Sequence, residues 1–414
     1  MDLTERMTCR VCGSGSLAPI LSLGDQYVSD FVDVNEGFRL SLNLVLCEVR
    51  AGGCGLLQLQ HTVPRELLYK QYWYRSGINA TMRRALAEIA ARAEQTARPA
   101  PGDIVLDIGC NDGTLLRSYT ADVRRVGFEP ARNLVAEAQV GTTLVLNEFF
   151  ASTPFLDALG GARAKVVTSV AMFYDLEDPN TFVADVARCL DDDGVWIIQM
   201  SYLPSMLEQN AFDNICHEHL EYYSLLPLRA LLDRHALEVF DVELNDVNGG
   251  SFQVCVRHAR RGATRAPSPR VAALEAQERG LHLHERDVYD RFARRVEELR
   301  DSTYELVSRE VARGKSLYAY GASTKGNTLL QYYGLDHRLV TAAADRNPEK
   351  WGKKTIGTLI PIVSEDEARS AKPDYFLVLP WAFLPEFRER ERAFLAGGGR
   401  FIVPLPTLAL VGAR

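Results

Sequence analysis

Three groups of side chains have the types and spacing to do chemistry. From Ile215 to Ser224 the run Cys216-His217-Glu218-His219-Leu220-Glu221-Tyr222-Tyr223 sets two imidazoles, two carboxylates and two phenols within ten positions. An imidazole titrates near neutral pH, so His217 or His219 suits a general base that takes a proton from carbon beside a carbonyl, with tyrosine hydroxyls orienting the substrate. Glu218 and Tyr222 complete this candidate catalytic set, and the residues alone do not rank the two histidines. The metal-protease spacing H-E-x-x-H is absent, and H-x-H offers only two imidazoles. The bland alternative is a solvated turn ahead of a helix.

The second group is a cysteine quartet. Cys9 and Cys12 form C-x2-C followed by Gly13-Ser14-Gly15, and Cys47 and Cys54 follow as C-x6-C, with Gly52-Gly53 able to fold the longer segment back. Four thiolates suit tetrahedral zinc; they leave no open coordination position, so such a metal holds a fold and does no chemistry. His61 reads as a surface histidine outside this shell.

The third group is a loop. Asp103 to Ile108 reads as a buried strand that runs into Gly109-Cys110-Asn111-Asp112-Gly113, and Thr114 opens a helix. Glu129 ends the next strand, 22 residues after Asp107. In a doubly wound sheet an acid at that place accepts hydrogen bonds from ribose hydroxyls. The loop lacks the third glycine of a pyrophosphate fingerprint, and Asp107 adds charge that repels phosphate, so an adenosine without phosphates is expected at Asp107, Gly109, Asn111, Gly113 and Glu129.

These groups need a frame. A chain of 414 residues, 47% hydrophobic and 24% charged, exceeds one ordinary core and predicts two or three packed domains. The net charge of −7 argues against a nucleic-acid surface. No run of about 18 apolar residues predicts a membrane span, the N-terminus lacks a signal-peptide core, and a cytoplasmic, reducing setting is expected, in which eight cysteines favour metal over disulfides. Lys165–Val170 reads as a fourth strand with Met172-Phe173-Tyr174 at its ligand-facing end. A helix is expected from Pro179 to Leu190, a turn at Asp191–Gly194, and a strand at Val195–Gln199. Asn248-Gly249-Gly250 reads as a tight turn into a last antiparallel strand.

Farther on, Leu274, Leu281, Val288, Phe292, Val296, Leu299 and Leu306 predict an amphipathic helix. A second α/β unit follows: strand Ser316–Tyr320, glycine loop Gly321–Asn327, a helix from Thr328, and a further parallel strand over Asp374–Pro380. Lys325, Lys350, Lys353 and Lys354 supply local positive charge for a nucleotide diphosphate, although the last three equally fit an exposed loop. No second acidic ribose signature is clear.

In their order, the quartet, Tyr72-Trp73-Tyr74-Arg75-Ser76-Gly77, the DIGCNDGT loop, the CHEH segment, the NGGS turn and YGASTKG resemble the nucleotide-sugar C-methyltransferases of deoxysugar and antibiotic biosynthesis, over nearly the whole chain. The resemblance implies an α/β fold of class I methyltransferase type: a zinc-binding domain over 1–64, an S-adenosylmethionine domain over 65–262, linker helices over 263–313 and a Rossmann-like substrate domain over 314–414. It adds Tyr74, Ser76 and Met172 to the cofactor residues, and assigns Lys325, Asn327 and Lys353 to the substrate. It also implies that His219 removes the C3 proton of a nucleotide-linked 4-keto sugar and that the enolate attacks the cofactor methyl. The implied partner is this small molecule, with no nucleic acid or membrane; monomer or homodimer stays open. The chain departs from the family pattern in having Met172-Phe173-Tyr174 where a histidine is usual, and Cys216 where a tyrosine is. Both changes flank the reaction site, so an O- or N-methyltransferase acting on a related sugar or natural product stays open as a reading, as does a non-catalytic zinc scaffold.

Overall fold

The computed structural model describes residues 4–259 and 266–413. The expected boundary at 262/263 lies outside the described residues. The N-terminal part is an antiparallel sheet of β1 (Leu17–Tyr27), β2 (Arg39–Cys47) and β3 (Leu57–Leu59). Helix α1 (Ala80–Ala97) follows, its first turn capped by the Asn79 side chain, which accepts from the amides of Thr81 and Met82.

Next comes the central sheet. Its strands are β4 (Ile104–Ile108), β5 (Arg124–Phe128), β6 (Leu144–Leu146), β7 (Ala164–Val170) and β8 (Leu190–Ser201). A short strand, β9 (Glu221–Tyr222), leaves this sheet and pairs with β3, and the chain returns through β10 (Leu237–Asn245) and β11 (Ser251–His258). The spatial order β6-β5-β4-β7-β8-β11-β10 is parallel except at β11, which runs antiparallel to both β8 and β10. Every residue of β4 is buried, as a strand covered on both faces must be. The order reverses between β4 and β7, and the crevice beyond their C-terminal ends is where open sheets bind ligands.

Two expectations change here. Asp191–Gly194 lies inside the span of β8 but bulges out of its pairing: Leu190 pairs with Ala164 and Val195 with Val166, so four residues stand against Lys165 alone, the Asp193 amide donates to Asp191 Oδ1 at 3.2 Å as in a local turn, and Lys165 pairs with Asp193 at 2.6 Å. The amphipathic pattern after residue 270 belongs to two helices, Pro269–Gly280 and Arg286–Ala312, with His282 in the left-handed conformation between them. The break lets Glu278 stay buried, where its carboxylate accepts from the amides of Leu225 and Leu226, at the start of another helix, and from the Tyr202 hydroxyl.

The last sheet contains β12 (Leu317–Tyr320), β13 (Ala343–Asp345), β14 (Ile362–Ser364), β15 (Tyr375–Val378), β16 (Arg400–Val403) and β17 (Ala409–Val411). Its order is β14-β13-β12-β15-β16-β17, parallel but for β17. The helix Thr324–Tyr333 follows β12 with Ser323 as its cap. Leu42, Leu44 and Leu59 of the N-terminal sheet share one core with Phe212, Val307, Leu317 and Phe376, whereas Cys9, Val11, Cys47 and Leu56 join the core of the central sheet. The N-terminal sheet is thus wedged against both α/β units.

Candidate functional site

The cysteine quartet closes on itself. Cys9 Sγ lies 3.5 Å from Cys54 Sγ, Cys12 Sγ lies 3.5 Å from Cys47 Sγ, and all four sulfurs fall within 4.8 Å of one another. Tetrahedral zinc with sulfur at about 2.3 Å sets its ligands about 3.8 Å apart, so the residues fit that ion. The local turns explain the closure. Gly13 takes a φ of +76° and its amide bonds the Cys9 carbonyl, while a β-carbon at Gly53 would collide with Cys47 Sγ. The Cys54 amide donates to Cys47 Sγ at 3.4 Å. Four sulfurs so close do not share negative charge evenly without a cation: Cys47 is pulled down to about 2 by its bonds from Cys54 and Cys9, and Cys9 is pushed up to about 12 by its bond to Cys47. His61 is not a free surface group but half-buried in a short strand paired with Glu5.

A cavity of about 1170 Å³ runs between the central sheet, the segment from Arg65 to Ser76 and the start of the Thr324 helix. Asp107, Gly109, Asn111, Glu129, Tyr74, Ser76 and Met172 all line it. Gly113 does not: with φ of +77° it turns the chain into the helix, and a β-carbon there would meet Arg117 and Ala138 at 2.8 and 3.0 Å. Glu129 is bound at both oxygens, Oε2 accepting from the Asn111 amide at 2.7 Å and Oε1 from the Ala131 amide at 2.8 Å. Burial pushes Asp107 and Glu129 each up to about 7, and the only other groups acting on them are carboxylates and hydrogen-bond donors. Two buried acids with no cation acting on them among the described residues suit a ligand that brings hydroxyl donors and positive charge, as S-adenosylmethionine does. The Asn111 side chain looks away from that ligand space. Its Oδ1 accepts from the Ser76 amide and its Nδ2 donates to the Tyr74 carbonyl, while Asp112 accepts from the Gly77 amide. The glycine loop therefore clips the Tyr74–Gly77 segment over the cavity.

At the other end stand Glu218, His219, Tyr174, Asp175 and Lys325. The loop that carries the histidines is sewn to the N-terminal sheet by β9 pairing with β3 and by the Leu59 amide donating to the Leu220 carbonyl. The structure separates the two histidines. His219 lines the cavity, its ring edge-on to Tyr174 at 4.3 Å, and its Nδ1 lies 2.9 Å from the Asn214 carbonyl, which also accepts from the Tyr222 hydroxyl at 3.3 Å. A carbonyl oxygen only accepts, so Nδ1 carries the proton and Nε2 keeps its lone pair. His217 is buried outside the cavity, its Nε2 donating to the Leu40 carbonyl of β2 at 3.0 Å. Burial pulls His217 down to about 4 and, with Lys325 second, His219 down to about 3. Burial raises Glu218 to about 7.

The expected catalytic set is therefore split. Glu218 and His219 face the cavity, Tyr222 stands behind His219, and His217 anchors the loop. The expected substrate set splits as well. Lys325 faces the cavity with its Nζ held by Asn214 Oδ1 at 2.6 Å. Asn327 points inward from the same helix and donates to the Asp30 carbonyl, and Lys353 is paired with Asp33 and lies over the Trp73 ring; neither lines the cavity. Lys350 does line it, yet its charge is spent on Asp345 at 3.5 Å and on the Ala322 carbonyl at 2.7 Å. Sequence reasoning missed Asn214, which holds His219, Tyr222 and Lys325 at once; its one signal was the polar pair Asp213-Asn214 just ahead of the histidine segment. It also missed Asp175 and Trp381, the latter donating to Asp213 at 3.1 Å from the last sheet.

Three family models match the chain: "Putative zinc binding domain" over residues 9–69, "Methyltransferase domain" over 74–242 and "C-methyltransferase C-terminal domain" over 246–406. The C-methyltransferase NovU of Streptomyces niveus is 33% identical over 413 residues, which span 98% of this chain and 97% of that protein. Among solved structures, a S-adenosylmethionine-dependent methyltransferase from Geobacter sulfurreducens in complex with S-adenosyl-L-homocysteine aligns with 48% of this chain and 99% of its own, at a TM-score of 0.35 and 15% identity. Magnesium protoporphyrin IX methyltransferase from Synechocystis PCC 6803 aligns with 42% of this chain and 79% of its own, at 0.32 and 15%.

Proposed function

The chain belongs to the S-adenosylmethionine-dependent C-methyltransferase family, and from that premise we propose that its acceptor is the carbon beside the keto group of a nucleotide-linked deoxysugar, deprotonated by His219. When bound, S-adenosylmethionine supplies an electrophilic methyl group on a positively charged sulfur. The chain does the rest. Glu129 receives the ribose hydroxyls, Asp107 favours the positive charge nearby, and the Tyr74–Gly77 segment covers them.

The observation that carries the reading is the pair of hydrogen bonds to the Asn214 carbonyl. They hold the His219 ring by Nδ1 and leave Nε2 as the proton acceptor at the cavity wall. Lys325, fixed by the Asn214 side chain, stands where it stabilises the oxygen that becomes negative as the carbon loses its proton. This moves Lys325 from the diphosphate to the reaction end. It also links the two groups, because the Lys325 charge is one of the causes that depress His219. A developing oxyanion offsets that charge and raises the basicity of the imidazole as the proton transfers. Ser323 and Thr324, at the start of the helix Thr324–Tyr333, line the same cavity, and the helix start offers amide donors to the diphosphate.

The test is solvent exchange. In deuterium oxide and without cofactor, the wild-type chain is expected to exchange the sugar proton beside the keto group. His219→Asn should lose that exchange, keep its affinity for cofactor and nucleotide sugar, and turn over ~10²–10⁴-fold more slowly. His217→Asn should instead lower stability with the exchange chemistry retained in the folded fraction. Methyl transfer by the wild type with no carbon exchange would overturn carbon acidity and point to an oxygen or nitrogen acceptor.

A further inference from the structure

Cys216 is buried to 1% exposure beside the two residues that face the reaction end of the cavity. The ligand atoms of Cys216, Glu218 and His219 all lie within 4.8 Å of one another, one sulfur, one carboxylate oxygen and one imidazole nitrogen. That donor set matches a thiophilic divalent ion and, with three protein ligands, leaves one coordination position open. The surroundings favour added positive charge. Asp175 lines the same cavity, its Oδ1 is buried with no hydrogen-bond partner among the described residues, and after burial itself Glu218 is the largest cause that pushes its carboxyl up. Burial and then Glu218 likewise push the Cys216 thiol well up. Lys325 acts on all four groups, opposing burial at Asp175, Cys216 and Glu218 and adding to it at His219.

We propose that Cys216, Glu218 and His219 form a second metal site, distinct from the cysteine quartet, which takes zinc or cadmium and silences the enzyme by occupying the imidazole. Binding displaces the Cys216 thiol proton to solvent. The metal-binding half stands on the geometry of the three ligands; the silencing half rests on the reading of His219 as the base.

The experiment uses the full chain with its quartet filled, loaded with cadmium-113 and observed by NMR. Two sulfur-bound resonances are expected: a strongly deshielded one from four sulfurs and a more shielded one from mixed sulfur, nitrogen and oxygen ligands. Cys216→Ser should keep only the first. The exposed cluster His282, His284 and Glu285 holds no sulfur, so any signal from it is more shielded still and persists in the variant. In the second arm, one further equivalent of zinc should cut S-adenosylhomocysteine formation by about 10²-fold or more, the least expected when a general base is blocked. A chelator should restore the wild type, and Cys216→Ser should resist zinc. A wild-type spectrum with only the four-sulfur resonance overturns the site, and it does so even if the variant fails to fold. Two resonances without zinc inhibition would keep the site and overturn the silencing, leaving the exchange test to judge His219 separately.

Discussion

The central and C-terminal α/β units use one backbone device for opposite ends. In the central unit Glu129 follows the second strand and accepts from the Asn111 amide of the loop after the first strand and from the Ala131 amide two residues on. In the C-terminal unit Asp345 ends β13 and accepts from the Ala322 amide of the loop after β12, at 2.8 Å, and from the Asn347 amide two residues on, at 2.8 Å. The difference lies in what faces the carboxylate. Glu129 lines the cavity with no cation acting on it among the described residues, whereas Asp345 is met by buried Lys350, which also bonds the Ala322 carbonyl and sits 4.5 Å from the centre of the Phe31 ring. The comparison teaches that the acid after a second strand marks a ligand site only where the protein leaves it unpaired. The central unit presents its acid to the cavity; the C-terminal unit uses its acid as an internal brace, and meets the cavity through Ser323, Thr324 and Lys325.

The largest effect expected from breaking this contrast is on stability. Asp345→Ala leaves the Lys350 ammonium buried and unpaired, which should cost about 3–5 kcal/mol. Thermal unfolding should show the loss, while calorimetric affinity for S-adenosylmethionine in the folded protein stays near wild type. Equal weakening of cofactor binding would mean that the two acids are not functionally distinct.

Glu129→Ala should do the reverse. Burial makes this carboxylate costly to keep charged, so removing it should change the melting temperature little, while lost hydrogen bonds to the ribose weaken cofactor binding by about 1.5–3 kcal/mol. Unchanged affinity in a calorimetric titration would count against the assignment. The smallest effect is that of pH. Asp107 and Glu129 are both raised to about 7 by burial, and in the proposed function both serve the ligand when ionised. Affinity should therefore be fullest above pH 7 and fall as pH drops from 8 to 6, by about 1 kcal/mol for each carboxyl that must give up a proton. Glu129→Gln should remove about half of that slope and leave the share of Asp107; an undiminished slope would belong to Asp107 or elsewhere.

The same contrast shows why one acid was legible and the other was not. Glu129 could be read because a run of strand residues, a glycine loop and a spacing of 22 residues all lie within one short stretch. Asp345 closes a three-residue strand of Ala343-Ala344-Asp345, too short to carry a pattern, and Lys350 looked like part of an exposed lysine loop although it is buried. The turn expected at Asp191–Gly194 was legible locally, since acidic residues with a glycine fold back on themselves, but only the pairing of Leu190 with Ala164 and Val195 with Val166 shows that it is a bulge inside β8 and not a break before it.

What the sequence determined by itself are the features written within short stretches: the two cysteine pairs with their glycines, the β-loop-α units, the acid after the strand, and the order of motifs that marks the family. Tertiary structure alone decided which of two nearby histidines faces the cavity, that Lys325 faces it beside Asn214, and that Asn327 and Lys353 do not line it. The physical reason is that each of these is set by a partner far away in the chain. Leu40 claims His217, Asn214 claims Lys325, and Asp30 and Asp33 claim Asn327 and Lys353. A side chain's chemistry follows its identity, but its availability follows the donor or acceptor that packing brings to it, and no local spacing encodes that.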